Sequence, residues 1–135
     1  DYTAENWRKD LKDVVGSQGL NLVYDPVGGD KSEQAFRSLS PGGRFLVVGF
    51  AAGNIAKIPL NLPLLKRSAI VGVDWGGEMR ANPSINDELM STLMQWIQDG
   101  KMIPAAVQSR PMDDYQQALT DQLAGSILGK LVLTN

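Results

Sequence analysis

The chain has no histidine and no cysteine. The first absence removes imidazole-ligated zinc, Ser-His-Asp triads and histidine general bases. The second removes disulfides and thiolate metal sites. Carboxylate-only metal sites stay open, but no acidic cluster has EF-hand or similar spacing. Few enzymes hold all their catalytic groups in a chain so depleted. An excess of one charge is missing too: 13 Lys and Arg against 15 Asp and Glu leave a net charge of -2. The basic residues are scattered, never more than two in a row. Nothing electrostatic therefore points to nucleic acid or an anionic membrane. No apolar run approaches the length that crosses a bilayer, no segment reads as a signal peptide, and there are no repeats.

What is present suits a soluble globular domain: 135 residues, 43% apolar and 21% charged, enough for one core. The first residue is Asp1 rather than methionine, as expected of a proteolytic product or a portion of a larger protein. The organising stretch is Leu20 to Gly53. An apolar run (Leu20, Leu22, Val23, Tyr24) stops at Asp25-Pro26, an amphipathic segment follows, and a second run, Phe45 to Phe50, ends in glycine and alanine. Such runs, separated by a helix-length segment, read as parallel strands buried on both faces in a right-handed βαβ unit. Ligands of open α/β sheets lie beyond the carboxyl ends of the strands. Here those ends are Asp25-Gly29 and Gly49-Gly53.

Around this unit, Thr3 is the expected cap of a first helix with Trp7, Leu11, Val14 and Val15 on one face and Gly16 as its stop. Asp30 to Ser38 reads as the crossover helix, with Ala35, Phe36 and Leu39 inward, and Pro41-Gly42-Gly43 as a turn. Asn61 would cap a one-turn helix through Lys66. Ala69 to Val73 is the third strand, followed by a polar loop over Glu78 to Asn82. Asn82-Pro83 starts a long helix whose stripe is Ile85, Leu89, Leu93, Trp96 and Ile97, ending at Gly100. Met102 to Gln108 reads as extended, Pro111-Met112-Asp113 as the start of a helix with Tyr115, Ala118, Leu119 and Leu123 inward, and Leu131-Val132-Leu133 as a last strand. Trp7 and Trp96 are expected in the core, and Tyr24 and Tyr115 in structural stripes.

The alternation calls for a doubly wound sheet, yet its usual fingerprint is missing. A dinucleotide site begins with strand, Gly-x-Gly-x-x-Gly and helix, with an acid about twenty residues on. Gly28-Gly29 follows a strand and precedes a helix, but a lone pair of glycines reads first as a tight turn. A strand as apolar as Leu20 to Tyr24 also wants neighbours on both sides, and its own unit offers one.

VYDPVGGDKSEQAFRSLSPGGRFLVVGFAAG, then IPLNLPLLKRSAIVGVDWG, then GKLVL, in that order, resemble the medium-chain dehydrogenase/reductase superfamily. The resemblance is strongest to its zinc-free NADPH:quinone oxidoreductase branch and covers nearly the whole chain. It implies a partial Rossmann-type, doubly wound parallel α/β sheet, its three strands being the fourth, fifth and sixth. Residues 1–102 would be the later half of a nucleotide-binding domain, and 103–135 a helix and strand returning to the catalytic domain. Tyr2 would fall at the family's "DY" or "NY". The resemblance implies NADP(H), or NAD(H), as cofactor, and no metal. Val27 and Gly28 would face its ribose side, and Gly49, Phe50, Ala51 and Ala52 would pass near the nicotinamide riboside. Val73, Asp74 and Trp75 would approach the carboxamide, and Lys130 would reach the pyrophosphate. The expected substrate is a small quinone, enal or enone, with no nucleic acid or membrane partner. The expected assembly is a homodimer through Ala69 to Trp75, located in the cytoplasm, or in the mitochondrion if a targeting segment lies upstream.

Several of these residues keep a second reading. Phe50 and Trp75 suit a site or core packing. Asp25 before Pro26 reads as a turn former, Lys130 as a solvated lysine, and Asp74 as a cap or a ligand contact. No residue is assigned as catalytic, which fits hydride transfer, where the cofactor carries the chemistry. Two other functions compete. Segments like LVYDPVGG and LSPGGRFLV recur in S-adenosylmethionine methyltransferases, which would require a final antiparallel hairpin. Alternatively, the chain is a folded fragment that binds nothing by itself.

Overall fold

The structure, a computed structural model, describes residues 4–135; Tyr2 and Thr3, singled out above, lie outside the described residues. Contacts divide the chain into two compact units at Glu78 and Met79. The boundary at residues 102 and 103 concerns parent domains and is a separate matter.

In the first unit, α1 (Trp7–Val15) leads into β1 (Leu20–Asp25). A single turn of 3-10 helix (Gly29–Lys31) runs into α2 (Ser32–Arg37). Then come β2 (Leu39–Val47), α3 (Asn61–Lys66) and β3 (Ala69–Gly72). The sheet order is β1-β2-β3, parallel throughout. Parallel partners share a face, so Val23, Phe45 and Ile70 look one way and Tyr24, Leu46 and Val71 the other. The first face carries the core. Phe36, Leu39, Phe45 and Leu62 are buried together, with Leu20, Val23, Ala35, Val47 and Ile58 packed against them. The Phe36 and Phe45 rings lie tilted at 5.9 Å between centroids, a favourable aromatic geometry.

Burial on both faces is not what the structure shows. On the second face Leu22 is 52% and Tyr24 64% exposed, and among the described residues β1 is hydrogen-bonded to β2 alone. Apolar content identifies a strand that wants cover, not the element that provides it. The Pro41-Gly42-Gly43 turn is also corrected. Leu39 already pairs with Leu20, and the register slips before Leu22 meets Arg44, so the three residues form an irregularity inside β2. Ser40, nearly buried, closes it by donating to the Leu20 carbonyl (3.0 Å) and Asn21 Oδ1 (3.0 Å). In α1, Trp7, Leu11 and Val15 are half-buried, but Val14 is exposed. Trp7 is thus no core residue, and neither is Trp96, which is exposed on its helix. Asn61 is the first helical residue of α3 and makes no cap bond there.

The expected polar loop over Glu78 to Asn82 is largely helix: α4 spans Trp75–Ala81. Asp74 starts it by accepting the Gly77 N–H at 2.8 Å, a side-chain cap strong enough to carry two glycines into the first turn. In the second unit, α5 (Ser84–Gln98) follows Pro83 in the capping position. β4 (Val107–Pro111), a short 3-10 turn, α6 (Tyr115–Leu123) and β5 (Lys130–Thr134) complete it. Within the expected extended piece, strand pairing begins at Val107 and runs on to Pro111. β4 and β5 pair in parallel, Val107 with Lys130 through Pro111 with Thr134. A parallel pair needs a crossover, which α6 supplies.

Arg110 of β4 and Asp121 of α6 form a half-buried ion pair at 2.7 Å. The Gln117 amide, at 2.8 Å, and the Arg110 guanidinium hold the Asp121 carboxyl below the usual carboxylate range. A depressed folded value stabilises the fold fully above the unfolded carboxylate pKa of about 3.9, and that stabilisation fades as pH falls through the lower folded value. Acid titration followed by circular dichroism should show Asp121→Asn less acid-sensitive below about pH 4 than the parent sequence; identical acid limbs would refute the coupling.

Candidate functional site

The carboxyl ends of β1 and β2 are laced together. Asp25 ends β1, and its carboxylate turns back to organise the chain that follows. Oδ1 accepts the N–H groups of Val27 (2.9 Å) and Gly28 (2.8 Å), and Oδ2 accepts the Ser32 hydroxyl (2.6 Å). Its main-chain oxygen accepts from Val48 and Gly49 beyond β2. Two further bonds run from Ala51 to Pro26 (3.2 Å) and from Ala52 to Val27 (2.9 Å). Val27, Gly28, Gly49, Phe50, Ala51 and Ala52 thus form one cluster of two turns. Asp25 is the turn former that Asp-Pro suggests.

Two glycines here have packing reasons. Gly28 has φ +71°, and a Cβ on it would lie 2.9 Å from a Phe50 ring carbon. At Gly49 a Cβ would lie 3.0 Å from the Pro26 carbonyl oxygen. The small size of both residues lets one turn sit on the other.

The third strand end completes the row. The Val73 N–H donates to the Val47 carbonyl (2.9 Å), Asp74 caps α4, and Trp75 is its first residue. Of the two readings of Asp74, the cap is the one on view. Val27, Phe50 and Trp75 are 37%, 45% and 45% exposed, so Phe50 and Trp75 are not core side chains. Lys130 opens β5 in the second unit, its N–H on the Ala106 carbonyl at 2.8 Å and its side chain exposed.

Three hollows adjoin the turns, one of them, of about 530 Å³, lined by Gly29, Asp30, Glu33, Gly53 and Lys57 among others; the other two touch the predicted site residues. One, of about 190 Å³, is lined by Trp7, Tyr24, Pro26, Val27, Lys31 and Ala35 among others, with the Lys31 ammonium 5.9 Å from the Trp7 ring centre. The other, of about 230 Å³, lies under Phe50 and is lined by Val47, Ile55, Ala56, Ile58 and Ile70 among others. Sequence reasoning missed Ser32 and Trp7 as neighbours of the turn. The hydroxyl one turn into the helix after Asp-Pro-x-Gly-Gly was the available sign for Ser32; for Trp7 there was none. Among the described residues no group of His, Cys, Asp or Glu could hold a metal ion.

A family profile described as "Zinc-binding dehydrogenase" matches residues 1–133. The chain belongs to the zinc-binding dehydrogenase family. This is the family that the resemblance of its motifs indicates.

Among zinc-binding dehydrogenase relatives, a quinone oxidoreductase-like protein 2 of Mus musculus is 35% identical over 133 residues, 98% of this chain and 38% of the relative. A mitochondrial enoyl-[acyl-carrier-protein] reductase of the same organism is 29% identical, over 84% of this chain and 31% of the relative. A quinone oxidoreductase of Escherichia coli, solved in complex with NADPH, superposes with a TM-score of 0.82 at 22% identity, covering 100% of this chain and 42% of that one. The chain spans well under half the length of each. The fold is therefore that of a Rossmann-like α/β domain with a parallel sheet. The order β1-β2-β3 matches the second half of the 3-2-1-4-5-6 arrangement. Zinc in the family's description assigns no ligand to this chain, which has neither histidine nor cysteine.

Proposed function

We propose that the chain is a portion of an NAD(P)H-dependent oxidoreductase acting on a quinone or a conjugated carbonyl, with NADPH the expected form. One observation carries the reading. Val27, Phe50 and Trp75, exposed and apolar, stand just beyond the carboxyl ends of three adjacent parallel strands, where α/β sheets of this kind hold their ligands. The residues fit such a cofactor. The hollow beside Val27 has an apolar wall suited to a flat ring.

When bound, the reduced nicotinamide supplies the hydride. Val27 and Gly28 would hold the cofactor's ribose side, and Asp25 keeps that turn in shape. Gly49, Phe50, Ala51 and Ala52 would line the nicotinamide riboside, with the Phe50 ring excluding water. Val73, Asp74 and Trp75 would meet the carboxamide through main-chain groups. No residue of this chain is assigned as the proton donor. Residues 1–102 would belong to the nucleotide-binding domain and 103–135 to the catalytic domain.

The methyltransferase reading lacks its required hairpin, because β4 and β5 are parallel. Equilibrium dialysis of the intact parent protein should retain NADPH and not S-adenosylmethionine; retention of the latter alone overturns the proposal. The isolated chain carries no Gly-x-Gly-x-x-Gly turn after a strand and should show no thermal shift with sub-millimolar NADPH.

We also propose that β3 pairs with its counterpart in a second copy. It is one of the two edges of its sheet among the described residues, and all four of its residues are exposed. An apolar, unpaired edge favours strand addition, and two-fold pairing satisfies it. The contact would involve Ala69 to Gly72, with Val73 to Trp75 beyond the strand end. Light scattering at tens of micromolar should give twice the chain mass, and a monomer would refute the pairing.

A further inference from the structure

At the end of the sheet opposite the turns, where β1 and β2 begin, a hollow of about 390 Å³ is lined by four cations and no acid: Arg8, Lys12, Arg37 and Lys66. Its remaining wall mixes Ser17, Gln18, Ser38 and Ser40 with Val15, Leu39 and Pro41. We infer that this hollow binds a small phosphate-bearing anion. The inference does not rest on the oxidoreductase reading, which concerns the other end of the strands.

Part of the positive charge is already matched. Lys12, Arg37 and Lys66 stand in the last turns of α1, α2 and α3. Each helix end carries the equivalent of about half a negative charge. Arg37 also pairs with Glu33 at 2.7 Å, and the Lys66 ammonium donates to the Leu39 carbonyl at 2.8 Å. These partners leave an excess of about one and a half positive charges facing the hollow. The excess centres on Arg8 and Lys12, which have no ion-pair partner among the described residues. They are four positions apart on one helix, a spacing at which like charges repel. An anion between them would turn that repulsion into attraction. A guanidinium, an ammonium and the Ser17 hydroxyl on a concave wall are a donor set a phosphate group takes, the guanidinium binding two oxygens at once; the Ser38 and Ser40 hydroxyls already donate to the Gln34 and Leu20 carbonyls. The volume exceeds what one phosphate fills, so the hollow admits either the free ion or a phosphate carried on a small organic molecule.

The test is an amide NMR titration of the full 135-residue chain at constant ionic strength, with inorganic phosphate in one arm and ribose 5-phosphate in the other. Gly16, Ser17, Gly19, Ser38 and Ser40 should shift saturably in at least one arm. Saturation with phosphate alone identifies the free ion, and with ribose 5-phosphate alone an organic phosphate; either supports the site. Arg8→Gln combined with Lys12→Gln should weaken binding at least tenfold, while Lys101→Gln should leave it unchanged. Both replaced residues are exposed, and the dispersion of the amide spectrum reports that the variant is folded. Shifts that grow linearly, that chloride reproduces, or that survive the double substitution overturn the proposal.

Discussion

Replacing Phe36 by alanine should cost about 3–5 kcal/mol of folding free energy. Phe36 is fully buried and anchors the one cluster through which α2 and α3 hold the parallel sheet. Truncation removes the transfer free energy of the ring, leaves a cavity against Phe45 and Leu62, and discards the tilted ring contact with Phe45. Because domains of this size are stable by only about 5–15 kcal/mol, most or all of the first unit's margin would go. Phe36→Leu, which keeps much of the volume, should cost nearer 1 kcal/mol. Urea unfolding followed by far-ultraviolet circular dichroism separates the two. A midpoint for Phe36→Ala no lower than that of the surface variant Lys101→Ala would refute this account of the core.

The second large effect is expected at Asp25. Asp25→Ala removes the acceptor of the Val27 and Gly28 N–H groups and of the Ser32 hydroxyl. Val27 is exposed enough to turn its N–H to water. Gly28 is buried and Ser32 is 2% exposed, so two donors would be stranded, at about 1–3 kcal/mol each. A total of about 2–6 kcal/mol follows, most of it local to the two turns. Asp25→Asn should be much milder. Its remaining carbonyl oxygen can still take the two N–H groups, and the Ser32 hydroxyl can accept from the new amide. Ser32→Ala and the double variant then close a cycle, whose coupling should fall within about 0.5–3 kcal/mol. Additive losses would mean that the Asp25–Ser32 bond contributes nothing of its own. In the intact parent, Asp25→Ala should also weaken NADPH binding more than Asp25→Asn does.

Much of this was legible in the residues. The run-helix-run pattern of Leu20 to Phe50 gave the βαβ unit, because a parallel sheet writes its strands as apolar runs. Val27 and Phe50 fall in the two strand ends that the apolar runs mark, and Trp75 was added by the family resemblance. What was misread has specific causes. Helical spacing put Trp7 and Trp96 on apolar faces, but spacing does not say whether anything covers a face. Gly76-Gly77 hid α4, since the cap from Asp74 outweighs two poor helix formers. Pro41-Gly42-Gly43 resembles a turn, and only the pairing of Leu20 with Leu39 makes it part of a strand. The register of long-range partners is a property of the folded sheet, not of any local window.

The lacing of the two turns also bears on how they move. Val48 and Gly49 are held by Asp25, Ala51 by Pro26 and Ala52 by Val27. Neither turn can lift without breaking bonds that belong to the other. The amides of Val27, Gly28, Val48, Gly49, Ala51 and Ala52 should therefore exchange with deuterium through one shared opening, with one free energy of opening set by a single local unfolding event. A loosening introduced on either side would be felt on both, so the two turns make one hinge plate rather than two independent loops.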